Sequence, residues 1–454
     1  MRQFIVVVVL VVLGSARAAN AQEIGLPPRL SQPPVANPGQ TVKQLWISTN
    51  LFGGYDHNVI PPPVIAGPGP TPSLDNYTAQ GAVALGYSIA RGKRSLDLAG
   101  DGSLTTRPVS ARTTPGPMYG VNVDASFRTP LGPIGDSFVR LGAGRNPFYS
   151  MGVFGAMQPG MSYLPESSPV NGVFDGFLRS VDSAAGLSHS WSRRTTTSLS
   201  YTYRRDLHEG GVTEPMDYVL HGASVDITQQ VSRRWNVRAG YTASDRASAQ
   251  AGYQYDDLLQ GITAGVTYTR PISPTRTWSI TAGGGANQIR VAGGGRYWEP
   301  TYNGSFGIDI GRSWVASTSY YQTSYLIESP LSAPDSYLTR TLSFNVGGAL
   351  NRTLSLALAT GASQGDAAAA FSVTGLPGRF TGFFTGVQAA AALGAGWSAR
   401  VTASYYRSTL QGAASPIAGT PGEFQRASVW AGVDWGVPLY ESPRQPRTPG
   451  GRVR

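Results

Sequence analysis

No cysteine occurs in the 454-residue chain, which removes disulfides, thiolate catalysis and cysteine-based metal sites. A cysteine-free chain also suits passage through an oxidising compartment, where a thiol would mispair. Lysine is nearly as scarce: Lys43 and Lys93 stand alone, and the remaining basic charge is arginine. The four histidines, His57, His189, His208 and His221, are scattered and lack metal-ligand spacing. Beyond the first residues, no segment approaches the ~18 consecutive apolar residues of a membrane helix. The mean hydropathy of −0.14 is that of a chain at home in water. β-Barrels escape such scans, because half of every membrane-crossing strand is polar.

What the chain does have is alternation. Tyr77, Ala79, Gly81, Val83, Leu85, Tyr87 and Ile89 fall on one face of an extended segment, with Thr78, Gln80, Ala82, Ala84, Gly86 and Ser88 on the other. Trp397, Ala399, Val401, Ala403 and Tyr405 alternate with Ser398, Arg400, Thr402 and Ser404. Ala427, Val429, Ala431, Val433, Trp435 and Val437 alternate with Ser428, Trp430, Gly432, Asp434 and Gly436. A period of two with one apolar face describes strands that meet lipid on one side and a polar interior on the other.

The two ends read differently. Arg2, the apolar run Phe4 to Leu13 and the small residues Ala19-Asn20-Ala21 have the form of an export signal cleaved after Ala21. That run is too short to span a bilayer. The expected division is therefore a signal peptide over 1–21, a Pro-rich leader over 22–44, a barrel over 45–440 and a basic, Pro-rich tail over 441–454. Loss of Arg2 and Arg17 lowers the formal charge from +10 to +8. The arginines are spread over turns and form no single patch, so nucleic acid is not the expected partner. Attraction to anionic lipid head groups fits better.

Between leader and tail, turn residues divide the chain into about 18 strands, within a range of 16–18. Short connections fall near Gly92, Pro133, Arg193, Arg233, Pro274, Arg312, Asn351 and Gly394. Long ones carry His57 to Leu74, Pro108 to Pro117, Asn146 to Val173, His208 to Pro215, Ser329 to Pro334, Gln364 to Gly378 and Gln411 to Glu423. From Arg193 onward the short turns recur roughly every 40 residues, a spacing shared with WD-type propellers. A propeller blade divides that length into four short strands, whereas Ser180 to Trp191 and Asp257 to Thr269 contain no turn signal. The expected fold is all-β: a transmembrane, antiparallel, up-and-down barrel with short periplasmic turns and long extracellular loops. Trp46, Trp191, Trp235, Trp278, Trp314, Trp397 and Trp435 all fall beside the short-turn rim, as an interfacial aromatic girdle requires.

With the phase set by the apolar face, the mid-strand charges Asp124, Arg128, Arg140, Asp182, Arg204, Asp226, Arg238, Asp309, Arg400 and Asp434 fall on the opposite face. Arginine or lysine on the lipid side at mid-bilayer costs ~2–4 kcal/mol, so this asymmetry is what a membrane barrel needs. Signs are balanced in the set, and strong anion selectivity does not follow from the net charge.

Over Leu45 to Tyr440 the chain resembles the porin-like outer-membrane β-barrels of diderm bacteria. The last strand, with Gly432, Trp435, Val437 and Leu439, looks like the signal such proteins present to the barrel-assembly machinery, although a tail follows Tyr440 where the family usually ends on an aromatic residue. In many barrels of this kind the longest connection, here Asn146 to Val173, folds inward to constrict the pore; the other reading is an ordered external loop packed on the rim or on a neighbour. Phe148, Tyr149, Met151, Phe154, Met157, Met161 and Tyr163 would make that constriction apolar.

Other motifs have plainer explanations. Gly361-Ala362-Ser363-Gln364-Gly365 matches a nucleophile-elbow string, but lacks the helix, histidine and acid of that site and reads as a strand exit into a turn. Ser188-His189-Ser190 has no identifiable acidic partner. Asp56, Asp256 and Asp257 could hold Ca²⁺ in loops, but solvated loop acids are the plainer reading. Gly283-Gly284-Gly285 and Gly293-Gly294-Gly295 lack the following helix of a phosphate cradle and suit close strand packing. The expectation is a channel for small polar solutes in the bacterial outer membrane, with no cofactor, metal or catalytic site. Its partners would be membrane lipids and the assembly machinery, and copies could associate as a homo-oligomer. The alternative is a non-conducting barrel that assists polymer secretion or surface attachment.

Overall fold

The computed structural model describes residues 41–59, 74–106, 117–151, 173–209, 217–250, 253–274, 276–290, 296–311, 313–329, 332–367, 379–411 and 423–441. They form eighteen strands: β1 (Thr41–Val59), β2 (Leu74–Arg91), β3 (Arg94–Thr106), β4 (Pro117–Pro130), β5 (Gly135–Met151), β6 (Val173–Ser190), β7 (Thr195–Glu209), β8 (Asp217–Gln230) and β9 (Trp235–Gln250). The second half continues with β10 (Tyr253–Ser273), β11 (Arg276–Arg290), β12 (Arg296–Ile310), β13 (Trp314–Ser329), β14 (Ser332–Ala349), β15 (Leu354–Ala367), β16 (Arg379–Gly394), β17 (Trp397–Gln411) and β18 (Glu423–Glu441). Each strand pairs antiparallel with its sequence neighbour, and β1 pairs with β18, so the sheet closes on itself. Closure removes the exposed edges that an open sheet would offer. At this strand number and a tilt of about 40°, the backbone cylinder is roughly 36 Å across.

The short turns are built locally. Ser192 Oγ accepts the backbone N–H groups of Arg194 and Thr195, Ser232 Oγ those of Arg234 and Trp235, and Asn351 Oδ1 those of Thr353 and Leu354. A short polar side chain that bonds the backbone two residues on is what makes these residues turn formers. Between β16 and β17, Ala395 and Gly396 both have positive φ, the conformation of a two-residue hairpin turn matched to strand twist.

The wall is one residue thick, and its outer surface is apolar and exposed. Leu51, Val83, Leu85, Val123, Leu141, Val181, Leu187, Ile262, Leu342, Val387 and Val401 are all exposed large apolar residues on that face. A water-soluble barrel would hide such side chains; a membrane barrel presents them to hydrocarbon.

Several boundaries differ from the sequence expectation, all by strands running further than the turn residues suggest. β1 begins at Thr41, inside the segment read as leader, and β18 extends to Glu441. Asn146–Met151 are strand, paired with Val173–Leu178 of β6, so the connection there is shorter than Asn146 to Val173. A strand partner extends β5 past the point where Pro147 and the aromatic residues suggested a loop.

Candidate functional site

Register fixes which residues face inward. Even-numbered positions face in on β1, β2, β4–β9 and β16–β18, and odd-numbered positions on β3 and β10–β15. The phase follows from the outward apolar rows, such as Ile47 opposite Leu85 and Thr49 opposite Val83. Asp124, Arg128, Arg140, Asp182, Arg204, Asp226, Arg238, Asp309, Arg400 and Asp434 all stand on the inner face by this count.

These charges are arranged in local pairs. Arg140 Nη2 donates to Asp124 Oδ1 at 3.2 Å, and Arg238 Nη2 meets Asp226 Oδ1 at 2.6 Å. Arg204 Nε bridges both oxygens of Asp206, two residues along the same strand. Arg400 Nη2 donates to Asp434 Oδ2 at 2.8 Å, and its guanidinium lies 5.5 Å from the Phe52 ring centroid. Asp309 Oδ2 accepts from the N–H and hydroxyl of Thr277, both at 2.8 Å. Solvent access separates the pairs: the Arg140 and Asp124 side chains are 59% and 43% exposed, while those of Arg400 and Asp434 are 5% and 7% exposed.

Sequence reasoning left out further inner-face groups on the same side. Asn122 Nδ2 donates to Asp101 Oδ2 at 2.9 Å, and Asn122 exchanges hydrogen bonds with Asn146. Asp97 accepts from Ser126. Arg246 and Asp257 face each other across β9 and β10, both buried. Asp257 is therefore a buried strand residue, not a solvated loop acid. A strand-by-strand list of inner positions would have found all of these.

Between Asp309 at the short-turn rim and Asp257 and Glu299 towards the long loops, the described inner positions of β10–β16 carry no charge. Hydroxyl pairs occupy them instead, with Thr267 Oγ1 3.1 Å from Thr281 Oγ1 and Ser319 Oγ 2.6 Å from Ser343 Oγ. The inner wall thus has a charged sector over β3–β9 and a neutral hydroxyl sector over β10–β16.

Glycines opposite large side chains explain much of the wall's shape. The Trp46 ring fills the space a Cβ would take at Gly86, as Phe52 does at Gly432, Trp430 at Gly54, Phe138 at Gly186 and Phe384 at Gly361. Each of these rings packs over the directly opposed glycine of the neighbouring strand. Gly361–Gly365 are consequently mid-strand in β15, paired with β14 and β16, and not at a turn. Gly283 does the same for Asn303.

Trp46 is a correction to the expected girdle. It sits at the short-turn rim but on the inner face, because the outward phase of β1 belongs to Leu45 and Ile47. Trp191, Trp235, Trp278, Trp314, Trp397 and Trp435 have outward phase. Trp235, Tyr268, Trp278 and Phe306 run as neighbours with centroids 4.7, 5.3 and 6.2 Å apart, and Trp397 lies 6.0 Å from Trp435.

The remaining candidates separate. Phe148, Tyr149 and Met151 belong to β5. Phe154, Met157, Met161 and Tyr163 lie outside the described residues, as do the signal and most of the leader and of the tail. Ser188 and His189 have opposite phase on β6, and His189 packs edge-on against Trp191, 4.5 Å between centroids. His221 bonds the Tyr201 hydroxyl at 2.7 Å. Among the described residues no three potential metal ligands come together.

No family model and no curated protein matches the sequence. Solved structures of similar overall shape include Acinetobacter baumannii OccAB2, at 12% identity and a TM-score of 0.48 over 88% of this chain and 98% of that one. Pseudomonas aeruginosa OpdQ has 9% identity and a TM-score of 0.44, over 88% and 98%. Pseudomonas aeruginosa OprD has 10% identity and a TM-score of 0.44, over 88% and 96%. The strand pairing of this chain, not these likenesses, establishes its barrel.

Proposed function

We propose that the protein is a passive channel of the bacterial outer membrane, a water-filled barrel that lets small polar solutes cross without chemical change. The observation that carries this reading is the exposure of charges inside a closed cylinder. Arg140 and Arg238 on the inner wall are 59% and 65% exposed, and solvated ions inside a barrel require water there. An aqueous lumen is the usual outcome at this strand number.

Selection would rest on size and field. A solute passing β3–β9 meets paired arginines and carboxylates, and on the opposite side it meets hydroxyls that donate and accept without net charge. Arg128, Arg140, Arg204, Arg238, Asp124, Asp182 and Asp309 are the pore-lining residues of this reading. The short-turn rim would face the periplasm and the long loops the exterior. A signal cleaved after Ala21 would deliver the chain, and Gly432, Trp435, Val437 and Leu439 of β18 would be read by the assembly machinery.

Planar-bilayer recording tests the proposal directly. Discrete, ohmic current steps from purified, folded protein are expected. A barrel that inserts and stays silent rejects conduction and leaves the secretion or attachment role.

A further inference from the structure

The outer face carries a feature that conduction does not use. Arg145, Arg179 and Arg205 have outward phase on β5, β6 and β7: Arg145 pairs with the exposed Val121 and with Arg179, and Arg205 pairs with the exposed Val181. They stand ten, eleven and ten residues from the short-turn ends of their strands. At ~3.4 Å per residue and a tilt of about 40°, that places them roughly 26–29 Å above the short-turn rim. The apolar band of such barrels is about 25 Å tall. Below the arginines the outward positions are apolar or small: Ala143, Leu141 and Val139 on β5, Val181 to Leu187 on β6, and Tyr203, Tyr201 and Leu199 on β7. The three guanidiniums therefore begin where hydrocarbon ends, at the long-loop boundary.

The group is organised. Glu209 holds Arg145 Nε at 3.0 Å through one oxygen and Arg179 Nε at 2.5 Å through the other. The Arg145 guanidinium stacks 3.7 Å from the Phe177 ring centroid and 5.7 Å from that of Tyr119. Both carboxylate contacts run through Nε, and no hydrogen bond from the terminal nitrogens of Arg145 or Arg179 occurs among the described residues. Arg205 is exposed and makes no ion pair there. His221 and Asp245 bound the patch on the β8–β9 side.

We infer that this patch binds the phosphate head group of a lipid in the external leaflet. Planar guanidiniums recognise phosphate through paired N–H donors. Glu209 is the carboxylate among the three arginines on β5–β7, and the outward Asp217 and Asp245 lie beyond them on β8 and β9, so positive charge is concentrated on β5–β7 at the depth of lipid phosphates. The inference rests on the barrel being in a membrane, but not on its conducting.

The test uses the full-length barrel in neutral detergent, with diphosphorylated lipid A as probe and native mass spectrometry counting bound lipid. Arg145→Gln/Arg179→Gln/Arg205→Gln should weaken binding at least tenfold, and Arg205→Gln alone, which removes no ion pair among the described residues, about threefold. Arg270→Gln, an exposed outward arginine at the opposite rim, should bind as the parent does. The inference is overturned if the triple variant binds within twofold of the parent. It is equally overturned if Arg205→Gln has no effect where the triple variant fails to fold, or if inorganic phosphate displaces the lipid at equimolar concentration. Flotation with neutral vesicles, run beside it, reports membrane insertion alone, so a failed membrane reading is distinguishable from a failed lipid site.

Discussion

The half of the inner wall built from β3–β9 and the half built from β10–β16 share one backbone geometry and differ in chemistry. In the first, every strand contributes at least one ion, and most guanidiniums find a carboxylate close by. In the second, serine, threonine and asparagine close on one another across strands. The difference teaches that the lumen tolerates charge because water reaches it. Arg140 and Asp124 are held in solvent, and their pair contributes little to stability. The Arg400–Asp434 pair, beside the seam where β18 meets β1, is the contrasting case: desolvated and anchored against Phe52.

The largest expected effect lies at that seam. Asp434→Ala strips the carboxylate from a buried arginine and should lower stability by about 3–5 kcal/mol, measured as a shift in the urea midpoint of reversible refolding into lipid. Reversing charge in the solvated sector should act on current and spare the fold. Arg140→Glu/Arg238→Glu changes each site by two charges; a two-charge change acting on a monovalent ion across roughly 8 Å of water is about 1 kcal/mol, opposite in sign for cations and anions, so the cation-to-anion permeability ratio should rise by at least about fivefold. Reversal potentials under a salt gradient report it. An unchanged ratio would mean that solutes do not pass along β3–β9.

The neutral sector should answer more weakly. Thr267→Val removes the hydroxyl partner of Thr281 and should cost about 1 kcal/mol in the same refolding measurement, with selectivity unchanged. Asp124→Ala closes the series with a loss of about 0–1 kcal/mol, as expected of an exposed pair. Equal losses for Asp124→Ala and Asp434→Ala would erase the distinction between solvated and buried ions.

Strand number, turn positions and the inner phase of the charges were legible in the sequence, since alternation and turn chemistry are local properties. The misread places depend on a partner strand. Gly361–Gly365 looked like a turn because its support, Phe384, lies on β16. Asn146–Met151 looked like loop because its continuation as strand is imposed by Val173–Leu178. Asp257 looked solvated because Arg246, across β9, is invisible in the local sequence. Trp46 failed differently: its height was right, and only the phase of its own strand puts it inside. The division into two sectors was written in the inner positions strand by strand, but shows itself only once each strand's phase is assigned separately.

A wall with no thickness beyond a single peptide layer carries two interleaved texts, one addressed to lipid and one to the lumen. Neither constrains the other except through the glycines that make room for a neighbour's ring. The lumenal text can therefore be rewritten wholesale, at sites such as Thr281 or Ser305, while the lipid-facing text between them stays untouched. For anyone reshaping what such a cylinder admits, that independence is the practical opening.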